Sequence, residues 1–131
     1  MDGKKTKGNI KVIGKDKVIY DFSPENLPVE TVNLDEDFWI ETNDCYCGQI
    51  KTENDLRPNI DISIMDAATG PVKINGILAG DVICVTIKEI ELASQGVMVT
   101  SPGLGPLGDM ISEANTKIIH IKDGYAHFSE T

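Results

Sequence analysis

The chain has 131 residues, of which 40% are hydrophobic and 25% charged. This composition is typical of one globular domain and not of a disordered chain. Acidic residues outnumber basic residues by 21 to 12, which gives a formal net charge of −9. Nucleic-acid binding is not expected, because it usually needs a basic stripe that neutralises phosphates. No apolar run approaches the roughly 20 residues that span a bilayer, so no membrane association is expected either.

The cysteines indicate a reducing compartment. Cys45, Cys47 and Cys84 cannot all pair with one another, and a disulfide between the alternate residues Cys45 and Cys47 is geometrically awkward. The basic start of the chain is not followed by the apolar stretch of a secretory signal. Because reduced thiols are typical of the cytoplasm, we expect a cytoplasmic protein.

The first third of the chain is rich in Val, Ile and aromatic residues between turn signals, which predicts short strands. Residues 14–16 read as a hairpin turn between two of these strands. The predicted strands are 8–13, 17–22, 29–32 and 38–42.

Residues 43–61 then show neither a helical nor a strand period. Loops of this length are uncommon in compact domains unless they are functional or disordered. We therefore interpret 43–61 as the main functional loop.

The second half of the chain continues the same alternation of strands and turns. Its strongest strand pattern is 82–92, whose first half is apolar on both faces and is therefore expected to be central in a sheet. Only 112–114 could nucleate a short helix, and the proline- and glycine-rich segment 102–108 is predicted to be a loop. The other predicted strands are 72–74, 96–100 and two strands on either side of Asp123-Gly124.

Many short strands without intervening helices predict an all-β fold. The pattern favours a β-sandwich of the jelly-roll type or a distorted barrel. We expect residues 1–131 to form a single domain with a long loop near 43–61.

The first candidate site begins where the fourth predicted strand ends. Asp44 could serve as a general base or a metal ligand, Cys45 as a nucleophile and Gln49 as an amide-binding group. A nucleophilic thiol normally needs a base that lowers its pKa, and no histidine lies nearby in the sequence. Structural thiols are the alternative interpretation. Zinc binding by Cys45 and Cys47 is weaker still, since a second pair of ligands is missing.

The second candidate is a pair of histidines in the last predicted hairpin. If Asp123-Gly124 forms a two-residue turn, His120 lies opposite His127 with their Cβ atoms ~5 Å apart. Two imidazoles placed in this way could share a metal. A solvent-facing polar pair is the favoured alternative, because no carboxylate is positioned by the same reasoning.

Four segments in order resemble the acetamidase/formamidase family. The family has a Ser-Pro-Glu-Asn type opening, an Asp-Cys-aromatic-x-Gly-Gln element, Thr-Gly-Pro and Pro-Gly-Asp elements, and a glycine-rich loop. The corresponding segments here are 21–29 (DFSPENLPV), 41–49 (ETNDCYCGQ), 69–72 (TGPV) with 79–82 (AGDV), and 102–109 (PGLGPLGD). Ala79 stands where the family has proline, which affects turn stiffness more than chemistry.

The resemblance implies that the chain is the amino-terminal half of an amidohydrolase of short linear amides. The family's Gly-Asp-x-His element, the better candidate for metal binding and acid/base work, lies in the second half and is absent from this sequence. We therefore expect the chain alone to be inactive. It is expected to form a homo-oligomer or to need a complementary carboxy-terminal half.

The resemblance also implies roles for individual residues. Asp44 and Cys45 are the catalytic candidates, whereas Gly48, Gln49 and Thr69 are expected to bind the substrate. The cofactor stays open, with a divalent metal such as zinc as one candidate and Asp44, His120 and His127 as its weakly indicated ligands. The alternative function is a non-catalytic β-sandwich module that binds a small molecule or a partner protein.

Overall fold

The computed structural model describes residue 8 and residues 10–129. The described residues form β-strands and short 3-10 turns without any α-helix, which confirms the all-β prediction. The strands are β1 (Lys11–Ile13), β2 (Val18–Ile19), β3 (Glu30–Val32), β4 (Phe38–Ile40), β5 (Ala68–Thr69), β6 (Val72–Ile74), β7 (Gln95–Thr100), β8 (Asn115–Lys122) and β9 (Tyr125–His127). The 3-10 turns are Arg57–Asn59, Ile62–Ile64 and Gly108–Met110. In this described part, no helix has the length and apolarity needed to cross a membrane.

The chain divides into two compact units, which are described separately. Unit 1 contains the described residues up to Cys45 together with Ile64–Ile83, and unit 2 contains Tyr46–Ser63 and the described residues from Cys84 onward. The long predicted loop 43–61 holds no strand and one 3-10 turn, as the sequence indicated. That residues 1–131 form one domain stays a prediction.

Unit 1 is built from three two-stranded sheets, two of them parallel. β1 pairs in parallel with β4, and β3 pairs in parallel with β6, whereas β2 and β5 are antiparallel. Ile13 at the end of β1 and Val32 at the end of β3 are 0% and 1% exposed. These two β-branched side chains form the core of the unit, and both pack well against a pleated surface.

The predicted hairpin between residues 8–13 and 17–22 is wrong in its pairing. The turn itself forms, because the Lys17 amide donates to the Gly14 carbonyl oxygen at 3.1 Å. The strands on either side then pair with β4 and β5 instead of with each other. A turn sets the direction of the chain, but strands of two or three residues gain little from local pairing and are stabilised by the partners that bury them.

Unit 2 is centred on one antiparallel sheet in the order β7-β8-β9. Its buried apolar residues are Ile50 and Ile119, at 2% and 5% exposure. The turn at Asp123-Gly124 places His120 opposite His127 and Lys122 opposite Tyr125, which confirms the register predicted for this hairpin. The turn has φ of 52° at Asp123 and 79° at Gly124, the left-handed values that the favoured two-residue hairpin turn requires.

The prediction of a central strand at 82–92 is wrong. Residues 82–93 carry no strand, and every residue of 82–92 is exposed. The composition has the β-branched character of a strand, but a strand also needs a neighbouring strand, and the strand pairs formed by the described residues do not include this segment. The short helix expected at 112–114 is also absent from the structure, since three residues cannot offset the cost of a helix nucleus.

Candidate functional site

The candidate residues from the sequence fall into both units, and each group is described within its own unit. Unit 1 holds Asp44, Cys45 and Thr69. Unit 2 holds the other candidates, which are Gly48, Gln49, His120 and His127.

In unit 2 the loop begins with a tight turn at residues 46–49. The Gln49 amide donates to the Tyr46 carbonyl oxygen at 3.2 Å. Cys47 has φ of 52° and Gly48 has φ of 70°, so both central residues are left-handed, the pattern of a type I′ turn. A Cβ on Gly48 would meet no atom within 4 Å. Glycine therefore serves the backbone conformation there and not a close contact.

The Gln49 side chain closes the loop by bonding to backbone groups. Its Nε2 donates to the carbonyl oxygens of Tyr46 and Asp61, each at 3.0 Å. Its Oε1 accepts from the Asp61 amide at 2.9 Å. Both amide protons and one of the two lone pairs are thus used within the protein. The Gln49 side chain thus bonds both the amide and the carbonyl oxygen of Asp61, the two backbone groups that a paired strand would otherwise bond.

Two carboxylates of the same loop cap its turns. Asp55 Oδ2 accepts from the amides of Lys51 and Thr52, at 3.0 and 2.9 Å, and from the Thr52 hydroxyl at 3.0 Å. Asp61 Oδ1 accepts from the Ser63 hydroxyl at 2.6 Å and the Ser63 amide at 2.9 Å. The bond from the Lys51 amide is the largest factor lowering the pKa of Asp55. The Ser63 hydroxyl has the same leading effect on the pKa of Asp61, because each bond favours the ionised carboxylate.

The loop is anchored to the sheet of unit 2 by two side chains. The buried Thr116 hydroxyl on β8 donates to the Asp55 carbonyl oxygen at 2.7 Å. The Gln95 Nε2 on β7 donates to the Lys51 carbonyl oxygen at 3.2 Å. The sheet therefore holds the backbone of residues 51–55 in place, which is the arrangement expected of a functional loop on a rigid scaffold.

A shallow cavity of about 380 Å³ lies along this loop. Side-chain amides and one carboxylate dominate its wall, and two apolar residues complete it. The lining residues are Gln49, Asn54, Asp55, Leu56, Asn59 and Ile60. A wall of this kind offers hydrogen-bond donors and acceptors to a small polar molecule.

Most of this wall was missed from the sequence, which singled out only Gln49. The available signal was the number of amide side chains within 43–61, where Gln49, Asn54 and Asn59 all stand. Their spacing follows no helical or strand period, so only the folded loop shows that they share one surface.

In unit 1 the Thr69 hydroxyl links the sheet of β2 and β5 to the end of β4. It lies in β5, and its hydroxyl donates to the Glu41 carbonyl oxygen, just after β4, at 2.7 Å. The next residue, Gly70, donates its amide to the Lys17 carbonyl oxygen at 2.9 Å. The Thr69 oxygen can still accept a hydrogen bond.

Asp44 and Cys45 lie a few residues after the end of β4 in unit 1, and both are exposed. The Cys45 carbonyl oxygen accepts from the Asp66 amide at 2.9 Å, which fixes the backbone next to the candidate carboxylate. Among the described residues no disulfide joins any two cysteines, so Cys45, Cys47 and Cys84 are all thiols.

The histidine pair is exposed at the edge of unit 2. His120 and His127 face each other across β8 and β9, as predicted. Across the part of the chain that the structure describes, however, no three or more His, Cys, Asp or Glu side chains form a group that could hold a metal ion. Zinc sites in proteins use at least three protein ligands. The described residues alone do not fit a metal centre, so no chemical step is assigned to a metal here.

Known structures resemble this chain closely over most of its length. An acetamidase from Bacillus halodurans is 27% identical, with a TM-score of 0.81, over 91% of this chain. A predicted acetamidase/formamidase from the thermophile Thermoanaerobacter tengcongensis is 38% identical, with a TM-score of 0.85, over 92% of this chain. This chain spans 40% of the length of each of these relatives. No curated protein matches it.

The family model agrees with the structures. The model of the Acetamidase/Formamidase family matches residues 11–130, which include all the candidate residues of both units. The match therefore confirms the resemblance found in the sequence: the chain belongs to the acetamidase/formamidase family.

Proposed function

We propose that this chain is part of an amidase that hydrolyses short linear amides of the formamide and acetamide class and releases ammonia. One observation carries the proposal, namely the family match over residues 11–130. The name of the Bacillus halodurans relative, an acetamidase, gives the substrate class.

The reaction adds water to the amide carbonyl carbon and breaks the carbon–nitrogen bond. The products are a carboxylate and ammonium, which carries away the protons that the nucleophile loses. The reaction needs a base for the nucleophile, an acid for the leaving nitrogen and a stabiliser of the oxyanion. We assign the acid/base role to Asp44. Cys45 as a covalent nucleophile is the less favoured assignment, because it would also need a base close by.

The substrate-binding assignments concern Gly48, Gln49 and Thr69. The protons of the Gln49 amide and the Thr69 hydroxyl are donated to backbone carbonyls. Each side chain retains an acceptor lone pair, which fits the N–H group of a primary amide. Asn54 and Asn59 in the wall of the cavity add side-chain amides, each with hydrogen-bond donors and an acceptor.

The activity is proposed for a larger assembly that contains this chain. The chain spans 40% of the relatives' length, and its described residues contain no group of three or more His, Cys, Asp or Glu side chains that could hold a metal ion. We propose that a complementary polypeptide, equivalent to the remainder of the family enzymes, completes the site. A cytoplasmic location belongs to the same proposal, since the three cysteines are thiols.

The test uses a hybrid enzyme, in which this chain replaces the matched part of the Thermoanaerobacter tengcongensis relative. Ammonia release from formamide and acetamide is measured for the hybrid, the intact relative and this chain alone. We expect release from the hybrid and the relative and none from the chain alone. A folded hybrid that releases no ammonia, beside an active relative, would contradict the proposal.

A non-catalytic binding module is the second candidate, and one observation favours it. The donors of Gln49 and Thr69 serve the fold, as they would in a module that retained the family architecture without its chemistry. An inactive hybrid that still binds acetamide would support this candidate.

A further inference from the structure

The exposed apolar segment 84–92 is the feature that the fold leaves unexplained. It lies in unit 2 and carries no strand or helix, and each of its residues is exposed. Its large apolar residues are far more open than the core of the unit: Val85 is 75% exposed, Ile87 74%, Ile90 70% and Leu92 64%. Three charged residues stand between these apolar residues, but large apolar side chains exposed together in one short segment are still typical of an interaction surface.

The sequence pattern indicates how this segment would be covered. In an extended chain successive side chains point to opposite faces. Val85 and Ile87 would then share one face, which continues into two glutamates, and Ile90 and Leu92 the other, which also carries a lysine. Each face of such a strand therefore has an apolar part that favours being covered by other residues. Pairing along one edge alone would leave both faces in water.

The comparison with the relatives indicates what covers it. Three fifths of the length of each relative lies outside the region that this chain covers. That remainder is large enough to supply neighbouring strands as well as a layer of side chains for each face. A second copy of this chain is a poorer occupant, because two chains with a net charge of −9 repel each other.

We propose that residues 84–92 form a strand that docks onto the polypeptide equivalent to the remainder of the family enzymes. The proposal deepens the proposed function, since it names where the complementary part binds. Binding would add backbone hydrogen bonds along the segment, and the apolar side chains would enter pockets on both faces, as in recognition by strand addition.

The first measurement is amide hydrogen exchange of residues 84–92 in this chain alone and in the hybrid enzyme. We expect the amides of this segment to exchange about 100-fold or more slowly in the hybrid than in the chain alone, because amides paired in a strand exchange only on opening. Fast exchange in a folded hybrid would overturn the proposal. So would a hybrid that does not fold under conditions in which the intact relative does.

Variants then test whether docking depends on this segment in particular or on any exposed apolar residue of unit 2. Ile87→Asp and Ile90→Asp are each compared with Leu107→Asp, whose parent residue is also exposed, at 64%, and lies elsewhere in unit 2. For each variant, this chain is co-expressed with the tagged remainder of the relative. We expect the two segment variants to lose co-purification and Leu107→Asp to keep it. Equal retention of all three variants would overturn the proposal.

The outcomes for docking and for catalysis are distinguishable. Slowed exchange at 84–92 in a hybrid without ammonia release keeps the docking proposal and contradicts the amidase proposal. Ammonia release with fast exchange at 84–92 keeps the amidase proposal and contradicts the docking proposal. If the chain alone forms a dimer in sedimentation and its 84–92 amides become protected as the dimer forms, the occupant is a second copy and the proposal is wrong.

Discussion

Gln49 and Asp61 are joined by a reciprocal pair of hydrogen bonds: the Gln49 Nε2 donates to the Asp61 carbonyl oxygen at 3.0 Å, and the Asp61 amide donates to the Gln49 Oε1 at 2.9 Å. A side chain here takes the place of a backbone neighbour. The part of the long loop between Gln49 and Asp61 is consequently closed by these two bonds. Gln49 thus joins the ends of this part and also lines the cavity.

Removing this closure is expected to destabilise the fold. Gln49→Leu leaves the Asp61 amide and the Asp61 carbonyl oxygen without their side-chain partner, whereas the Tyr46 carbonyl oxygen keeps its bond from the backbone amide of residue 49. We expect a loss of about 1–3 kcal/mol in the free energy of unfolding. Urea titration measures it. Asn54→Ala, in the wall of the same cavity, is the control and should stay within about 0.5 kcal/mol of the parent. Equal stability of Gln49→Leu and the parent would show that the pair does not hold the loop.

The carboxylates of the loop predict a loss of stability in acid. Hydrogen bonds lower the pKa values of Asp55 and Asp61 below their ordinary 3.8. Their contribution is therefore fully present above pH 3.8 and is lost as the pH falls through the lower, folded-state values. Denaturant titrations from pH 6 to pH 2 should show this decline.

Asp55→Asn should reduce the acid-dependent part of that decline, since the residue no longer titrates. Glu53→Gln, at an exposed position of the same loop, is the matched control and should leave the decline unchanged. An identical acid profile for Asp55→Asn and the parent would contradict the assignment.

Two glycines of the loop 102–108 are expected to differ in their tolerance of alanine. A Cβ on Gly108 would lie 2.6 Å from the Gly103 carbonyl carbon, whereas a Cβ on Gly105 would meet nothing within 4 Å. Gly108→Ala must displace backbone. Gly105→Ala suffers only the strain of its φ of 72°, roughly 1–2 kcal/mol. Thermal unfolding should rank Gly108→Ala as the less stable, and the opposite order would contradict the close approach.

Thr69 offers a test that separates folding from substrate binding. Thr69→Val removes the hydroxyl that donates to the Glu41 carbonyl oxygen and should cost about 1 kcal/mol of unfolding free energy. Thr69→Ser keeps the bond and is the control. In the hybrid enzyme, a role in substrate binding requires Thr69→Val to raise KM well above that of Thr69→Ser. Equal KM values would restrict Thr69 to the fold.

Asp44 carries the catalytic assignment. In the hybrid enzyme Asp44→Asn should lower kcat by about 100-fold or more if this carboxylate acts as acid or base. Asp37→Asn, another exposed carboxylate in unit 1, is the control and should keep the activity of the parent. Turnover of Asp44→Asn within a factor of two or three of the parent would refute the role.

The hairpin at the end of the chain could be predicted from the sequence down to facing residues, whereas the pairing in unit 1 could not. Asp123-Gly124 specifies a local turn, and the opposition of His120 and His127 follows from it. The parallel partners Ile13 and Ile40 are far apart in the chain, and no local signal joins them. A parallel pair depends on the packing of the whole fold.

The same distinction applies to the candidate site. Gln49 was identified by its residue type, but its partner Asp61 lies twelve residues further on and no spacing rule links the two. The strand character of 82–92 was recognised from its apolar pattern, yet a pattern gives only the preference for a strand. Whether a strand forms depends on a partner.

The parallel sheets of unit 1 have a consequence for the order of folding. The sheet of β1 and β4 forms only when Lys11 pairs with Phe38, and the sheet of β3 and β6 only when Glu30 pairs with Val72. Contacts so distant in sequence slow folding, because the entropy of closing the loop is lost first. The hairpin of β8 and β9 needs only a two-residue turn and can form in about 1–10 μs. During synthesis of the chain, β1 and β3 are made before their partners β4 and β6. Until those partners have been made, Ile13 and Val32 are not buried as they are in the folded chain.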